Sequence, residues 1–316
     1  MRILFITASR IGDAVLSTGL LNYLAERYPD ARFTVACGAP AAALFAAAPF
    51  VDEVIPLVKR RRAGHWIELW RRTVTRRWSL VVDLRGSAIS WLLPSWRRRV
   101  LRSSWEPRHR LAHLATVLRL DTVPQPRLWA GADQRAAAER LISPGGPVLA
   151  VGPTANWGAK QWPAERFVEV VERLTAPGGI LPGARVAVIA SPAERAAAAP
   201  VLAAVPSERR IDLTDGAGDL ATIYACLERC SFYLGNDSGL MHMAAAAGVP
   251  TLGLFGPSSE LFYGPAGRRS ASVRGPRSFE DICHAADFDH RRQECLMLDL
   301  DTEAVVAAAE RLWTSL

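Results

Sequence analysis

The chain has 316 residues, a formal net charge of +7, half of its residues apolar and 22% charged. That length suits two domains of roughly 150 residues each, and the composition is that of a globular protein rather than a disordered or fibrous one. There is no apolar run of about 18 residues, which excludes a spanning helix, and the Ile3 to Ile6 run lacks a signal-peptide layout, so the expected location is the cytoplasm.

In chain order, Arg2 to Thr7 reads as a short strand, followed by a helical pattern from Asp13 to Tyr28. Arg32 to Ala36 is the next strand, then an alanine-rich helix, then a strand near Glu53 to Leu57. A basic helix with Trp66 and Trp70 leads to Leu80–Leu84, whose continuous apolar run marks a buried strand. The Ser143–Pro147 segment is the linker candidate. Beyond it come a strand at Val148 to Val151, a helix from Pro163 to Leu174 and a strand from Arg185 to Ala190. A helix from Ala193 precedes strands near Ile211, at Phe232 to Leu234 and at Thr251 to Phe255, and Asp301 and Thr302 can cap a last helix. This alternation predicts two α/β domains with parallel sheets, residues 1–145 and 146–316, with ligands bound in a central cleft. The last helix is free to pack back on the N-terminal half.

Five cysteines, scattered and odd in number, argue against a disulfide framework. Cys226 and Cys230 read as core residues, and the spacing of Cys283, His284, His290 and Cys295 matches no standard zinc pattern. The charge is unevenly spread. From Lys59 to Arg110 there are fifteen basic residues and three acids, interleaved with Trp66, Trp70, Trp78, Trp91, Trp96 and Trp105. Such a field attracts a polyanion such as nucleic acid, an anionic lipid headgroup or a phosphorylated glycan. A solvated surface rich in arginine is the plainer alternative.

Three segments carry candidate chemistry. Ser9-Arg10-Ile11-Gly12-Asp13-Ala14-Val15 lies between the first strand and first helix, where Gly12 permits a close approach. Asp13 is either an N-cap or a base, since a carboxylate is ionised at neutral pH and accepts a proton from a sugar hydroxyl. Pro153-Thr154-Ala155-Asn156-Trp157-Gly158-Ala159-Lys160-Gln161-Trp162-Pro163 again follows a strand and opens a helix. Thr154, Asn156 and Lys160 offer a diphosphate a hydroxyl, an amide and a cation. The chain has thirty-six arginines and two lysines, so a lysine at position 160 stands against the local habit. The third segment runs from Gly235-Asn236-Asp237-Ser238-Gly239 through Leu240-Met241-His242-Met243 to Leu254-Phe255-Gly256-Pro257. A helix beginning after Ser238 presents free N–H groups to an anion. Asp237 as a cap and His242 as a buried side chain are the bland readings.

Together these segments resemble glycosyltransferase family 9, the ADP-heptose-dependent heptosyltransferases of bacterial lipopolysaccharide core assembly. The Asp237–Ala244 stretch with the following Gly-Val-Pro and Leu-Phe-Gly-Pro carries most of the resemblance, supported by Lys160–Pro163 and Arg10–Asp13. It implies a GT-B fold of two Rossmann-like domains, with acceptor on the N-terminal half and nucleotide-sugar on the C-terminal half. It implies inverting transfer of heptose from ADP-heptose to the lipopolysaccharide inner core. Asp13 would be the general base, and Thr154, Lys160, Ser238 and Gly239 would hold the donor phosphates. Asp237 and His242 would shape that site, Asn156 would sit in the same loop, and Glu194 of Ser191-Pro192-Ala193-Glu194 would bind the ribose. The acceptor would meet Arg10, Arg60, Arg61, Arg62, Arg97 and Arg98. No Asp-x-Asp metal site is evident, so no obligatory cofactor is expected. The expected partners are the nucleotide-sugar and the lipopolysaccharide or lipid A acceptor, with peripheral contact to the inner membrane and no nucleic acid. Two other readings are the same fold with another nucleotide-sugar or acceptor, and a binding protein for anionic membranes or nucleic acid.

Overall fold

The computed structural model describes residues 1–104, 106–286 and 288–316, which form two compact units, Met1–Gly131 and Ala132–Leu316. Trp105, one of the interleaved tryptophans, lies outside the described residues.

The first unit contains β1 (Arg2–Ile6), α1 (Ile11–Arg27), β2 (Arg32–Gly38), α2 (Ala42–Ala46) and β3 (Val51–Leu57). It continues with α3 (Gly64–Thr73), β4 (Trp78–Asp83), β5 (Ser95–Val100) and α4 (Arg110–Ala115). Its five strands are all parallel in the order β3-β2-β1-β4-β5. Ile3, Leu4, Phe5 and Ile6 are completely buried, as a central parallel strand covered on both faces must be. The chain moves outward from β1 to β3 and then returns to β4 on the other side of β1. The sheet therefore has its topological switch between β1 and β4, and ligands of such sheets bind beyond the carboxyl ends of those strands.

The second unit repeats the plan. Its elements are α5 (Ala132–Leu141), β6 (Val148–Gly152), α6 (Ala164–Thr175), β7 (Arg185–Ile189), α7 (Arg195–Ala204), β8 (Arg210–Leu213) and α8 (Leu220–Leu227). They are followed by β9 (Phe232–Asn236), α9 (Gly239–Ala246), β10 (Thr251–Phe255), α10 (Glu260–Tyr263), β11 (Ser270–Arg274), α11 (Phe279–Cys283) and α12 (Thr302–Thr314). The six strands are parallel in the order β11-β10-β9-β6-β7-β8, so the switch here lies between β6 and β9.

Two strands were not expected from the sequence. In β5 the run Arg97-Arg98-Arg99 hides the pattern, and an edge strand tolerates those charges because one ladder edge is unpaired. In β11 every residue is only partly buried, so no apolar signal marks it. The boundary between the units falls at Gly131 and Ala132 rather than at the Ser143–Pro147 segment, because α5 packs against α8. The last helix, α12, packs on α6, β10 and β11 of its own unit, and Asp301 Oδ1 caps it by accepting from Ala304 N at 2.7 Å. All five cysteines are free, and burial pushes the Cys226 thiol up to about 11.

One close approach sets the spacing at the second switch. Gly152 of β6 and Gly235 of β9 are direct partners, and a Cβ on either would stand 2.2 or 2.5 Å from the hydroxyl of Tyr233. Tyr233 is fully buried, and that burial pushes its phenol above the ordinary range. Replacing Gly152 with alanine should destabilise the protein by about 1–3 kcal/mol through this clash. Adding Tyr233→Phe should recover part of the loss in denaturant unfolding, because the nearest atom is then gone; an additive double mutant would contradict the assignment.

Candidate active site

At the switch of the second unit, two loops leave adjacent strands at the same edge of the sheet. The loop after β6 spans residues 153–163, and the link from β9 to α9 is only Asp237 and Ser238. The last residue of β9, Asn236, is completely buried and holds the longer loop at both ends. Its Nδ2 donates to Pro153 O at 2.8 Å, and its Oδ1 accepts from Trp162 N at 3.2 Å. Gln161 closes the loop on itself by donating to Ala155 O at 2.7 Å, and the buried Trp162 indole donates to Leu300 O at 3.0 Å. Pro163 stands at the entry of α6, its fixed φ suited to a helix start.

A strap of residues 291–296 braces the outer side of the loop. Trp157 Nε1 donates to Arg292 O at 2.6 Å, Gly158 N to Gln293 Oε1 at 3.1 Å, and Leu296 N to Ala159 O at 3.0 Å. Gly158 is required there, since a Cβ would lie 2.2 Å from Gln293 O. Arg292 and Gln293, within the stretch before Cys295 that carried no role in the sequence, thus support this loop. Among the described residues no three His, Cys, Asp or Glu side chains are grouped to hold a metal.

The result of this bracing is an ion pair. Lys160 Nζ stands 2.5 Å from Asp237 Oδ2, with the carboxylate nearly buried and the ammonium partly exposed. A buried carboxylate must be paired, and Lys160 serves that need while keeping donors for a further anion. The first turn of α9 lies directly beyond Asp237, and its N-cap is Ser238 in extended conformation. Unsatisfied N–H groups at a helix start and an adjacent ammonium form an anion site.

The other expected donor residues are more scattered in environment. Thr154 is buried in the loop, Asn156 is exposed, and Ser238 and Gly239 are partly exposed at the start of α9. His242 is 4% exposed and belongs to the packed body of α9. Glu194 follows β7, the other neighbour of β6. Its Oε2 accepts from Ser191 N at 3.3 Å and Ser191 Oγ at 2.5 Å, a capping box that fixes the turn before α7.

At the switch of the first unit, Asp13 lies in the first turn of α1, two positions inside the helix, and the N-cap is Arg10. Asp13 is therefore not the cap, and Gly12 is helical. Its carboxylate is partly exposed and faces Arg110 Nε at 3.8 Å, too long for a hydrogen bond. That Nε is buried without a hydrogen-bond partner. The loop after β4 approaches the same place. Arg85 Nη1 donates to Ser9 Oγ, and the buried Asp83 accepts from Arg85 N and Ser87 N, both at 2.8 Å. Gly38 lets the end of β2 press on the Ser9 backbone, where a Cβ would come within 2.3 Å.

The six arginines expected on the acceptor divide into two groups. Arg10, Arg61, Arg62 and Arg97 are exposed, and Arg60 pairs with Glu68 at 2.9 Å. Arg62 and Ala63 both take left-handed backbone, with φ of 52° and 58°, which is strained for residues with a Cβ. Arg98 is a brace rather than a free cation: its Nε donates to Ser90 O at 2.8 Å and its Nη2 to Leu93 O. Sequence reasoning missed Arg110, which sits in no motif. It also missed the role of Asn236, although a polar residue ending a buried strand was the signal available.

Replacing Asn236 with leucine, of similar size, leaves Pro153 O and Trp162 N without partners. The expected loss is about 2–4 kcal/mol in denaturant unfolding, accompanied by weaker nucleotide binding. Unchanged stability would show that the loop is held elsewhere.

The chain is similar to proteins of one known family. The profile of glycosyltransferase family 9 (heptosyltransferase) matches residues 108–287. The lipopolysaccharide heptosyltransferase 2 of Salmonella typhimurium is 29% identical over 317 residues, spanning 87% of this chain and 88% of its own. The solved structure of a glycosyl transferase family 9 protein from Veillonella parvula superposes with a TM-score of 0.81 at 22% identity, over 100% and 98% of the two chains. The E. coli ADP-heptose lipopolysaccharide heptosyltransferase II superposes with a TM-score of 0.77 at 22% identity, over 99% of each chain. These likenesses establish the fold as the GT-B arrangement of two Rossmann-like domains.

Proposed function

The chain belongs to glycosyltransferase family 9, and we propose that it transfers a heptose from ADP-heptose to a hydroxyl of the lipopolysaccharide inner core. The observation that carries this reading is the Lys160–Asp237 pair beside the start of α9, inside the region that matches the family. The names of the Salmonella and E. coli relatives support the sugar and the acceptor.

The reaction is an inverting displacement. Asp13 takes the proton of the acceptor hydroxyl, and the oxygen attacks the anomeric carbon on the face opposite the departing ADP. The bond to the diphosphate oxygen breaks as the new glycosidic bond forms. Negative charge then grows on the diphosphate, where Lys160 and the N–H groups of α9 are already oriented. Thr154, Asn156, Ser238 and Gly239 add donors to the phosphates, and Glu194 reaches the ribose with the carboxylate oxygen its capping box leaves open. Arg110 keeps the Asp13 carboxylate turned toward the acceptor. The exposed Arg10, Arg61, Arg62 and Arg97 meet the phosphates of the acceptor. The positive charge needed by the leaving group comes from Lys160 and the helix, so the reaction has no obligatory metal. The enzyme works in the cytoplasm, at the inner face of the inner membrane.

The test is ADP release from ADP-heptose with a heptose-free lipopolysaccharide acceptor. Asp13→Ala should lower acceptor-dependent release by about 10²–10⁴-fold, and EDTA should leave the wild-type rate unchanged. Equal rates for wild type and variant would remove Asp13 from the mechanism. Loss of turnover on chelation, restored by Mg²⁺, would overturn the metal-independent reading. Turnover with a UDP- or GDP-sugar in place of ADP-heptose would move the donor assignment.

A further inference from the structure

The chemistry above leaves unexplained a group of large apolar side chains on the first unit. Among the described residues, the exposed tryptophans are Trp70, Trp91 and Trp96, and all three belong to one region. Trp91 and Leu92 are 65% and 64% exposed, and Trp96 is 85% exposed. Leaving that much apolar surface in water is unfavourable, and a contiguous exposed patch marks an interaction site.

These side chains are held in place. Trp91 and Leu92 sit on a single helical turn, Ala88–Leu92, between β4 and β5. Three donors from outside the turn grip the backbone around them. Arg98 takes Ser90 O and Leu93 O, and the Trp70 indole donates to Leu92 O at 3.3 Å. Beneath the turn, Ile89 and Leu93 are buried in the core with Trp78 and Leu69. Side chains alternate along a strand, so Trp96 lies on the same face of β5 as Arg98. The turn, the edge strand and the outer side of α3 therefore present one surface.

The field around this surface is basic. From Arg85 to Arg102 the chain carries five arginines and no acid, with Arg98 bound to the turn and Arg97 and Arg99 on the other face of β5; Arg71 of α3 is exposed beside Trp70, and the one acid of α3, Glu68, is paired with Arg60. Tryptophan favours the level of lipid headgroups, with its ring among the first acyl carbons and its N–H in the polar layer. Arginine beside it attracts an anionic leaflet. A purely electrostatic partner such as duplex nucleic acid would have no use for Leu92 and Trp91 held outward.

We propose that the Ala88–Leu92 turn and the edge strand β5 form a docking surface for an anionic phospholipid bilayer, with Trp91, Leu92 and Trp96 entering the interface and the surrounding arginines facing the headgroups. Arg98 and Trp70 act as the supports that keep the turn rigid. The proposal rests on the transferase reading only for which membrane is met. Its test uses neither donor nor acceptor, so each can fail separately.

The experiment is flotation of the full chain with vesicles of phosphatidylethanolamine and phosphatidylglycerol, beside vesicles of phosphatidylcholine alone. The wild type should float with the anionic vesicles, bind the neutral ones far more weakly, and be released in part by raised salt. The combined Trp91→Ser, Leu92→Ser and Trp96→Ser variant should bind about tenfold or more weakly, with an unchanged unfolding transition because the three side chains are exposed. Equal binding by wild type and variant, or equal binding to both kinds of vesicle, would overturn the proposal. So would retention by duplex DNA with no flotation on anionic vesicles.

Discussion

The side-chain amide of Asn236 is the contact on which the second unit's site depends. A buried amide must satisfy both its donor and its acceptor, and here it does so by gripping Pro153 O and Trp162 N at opposite ends of one loop. The loop cannot drift while both bonds are made. Its later part then falls beside the residue that follows β9, which is how Lys160 meets Asp237 across 77 positions of sequence. The strap at residues 291–296 adds three hydrogen bonds from the outside. A flexible lysine is therefore held ready before any ligand arrives, and preorganised charge of this kind stabilises a leaving group without rearrangement.

The two units share a design whose logic is topological. In each, the chain leaves the first strand, builds outward on one side, and returns to the other side of that strand. Loops on both sides of the reversal diverge, and the motifs stand at that point: Asp13 after β1, Lys160 after β6, Asp237 after β9. The units differ in charge. The first carries the concentrated arginine field, and the second carries one lysine, paired with Asp237 beside the start of α9.

Much of this was legible in the sequence. Continuous apolar runs such as Leu80–Leu84 announced buried parallel strands, and the small residues after Asp237 announced the start of α9. The parts that were not legible depend on partners distant in the chain. β5 was hidden because an edge strand accepts three successive arginines, and those arginines read as a solvated or ligand-binding face. Arg98 had nothing in its spacing to show that its guanidinium would brace the turn before it. Glycines 152 and 235 make room for the Tyr233 hydroxyl, a requirement that no local pattern announces. The irregular stretch before Cys295 offered no periodicity at all, yet it supports the loop that carries Lys160.

The central claim is that Lys160, fixed by the braced loop, reads the second phosphate of the donor. Calorimetric titration of ADP and of AMP into wild type and Lys160→Met tests it most directly. The account predicts that the variant binds ADP about tenfold or more weakly, the loss of one charge-assisted contact, with AMP binding little changed. Equal weakening of ADP and AMP, or undiminished ADP binding by the variant, would contradict it.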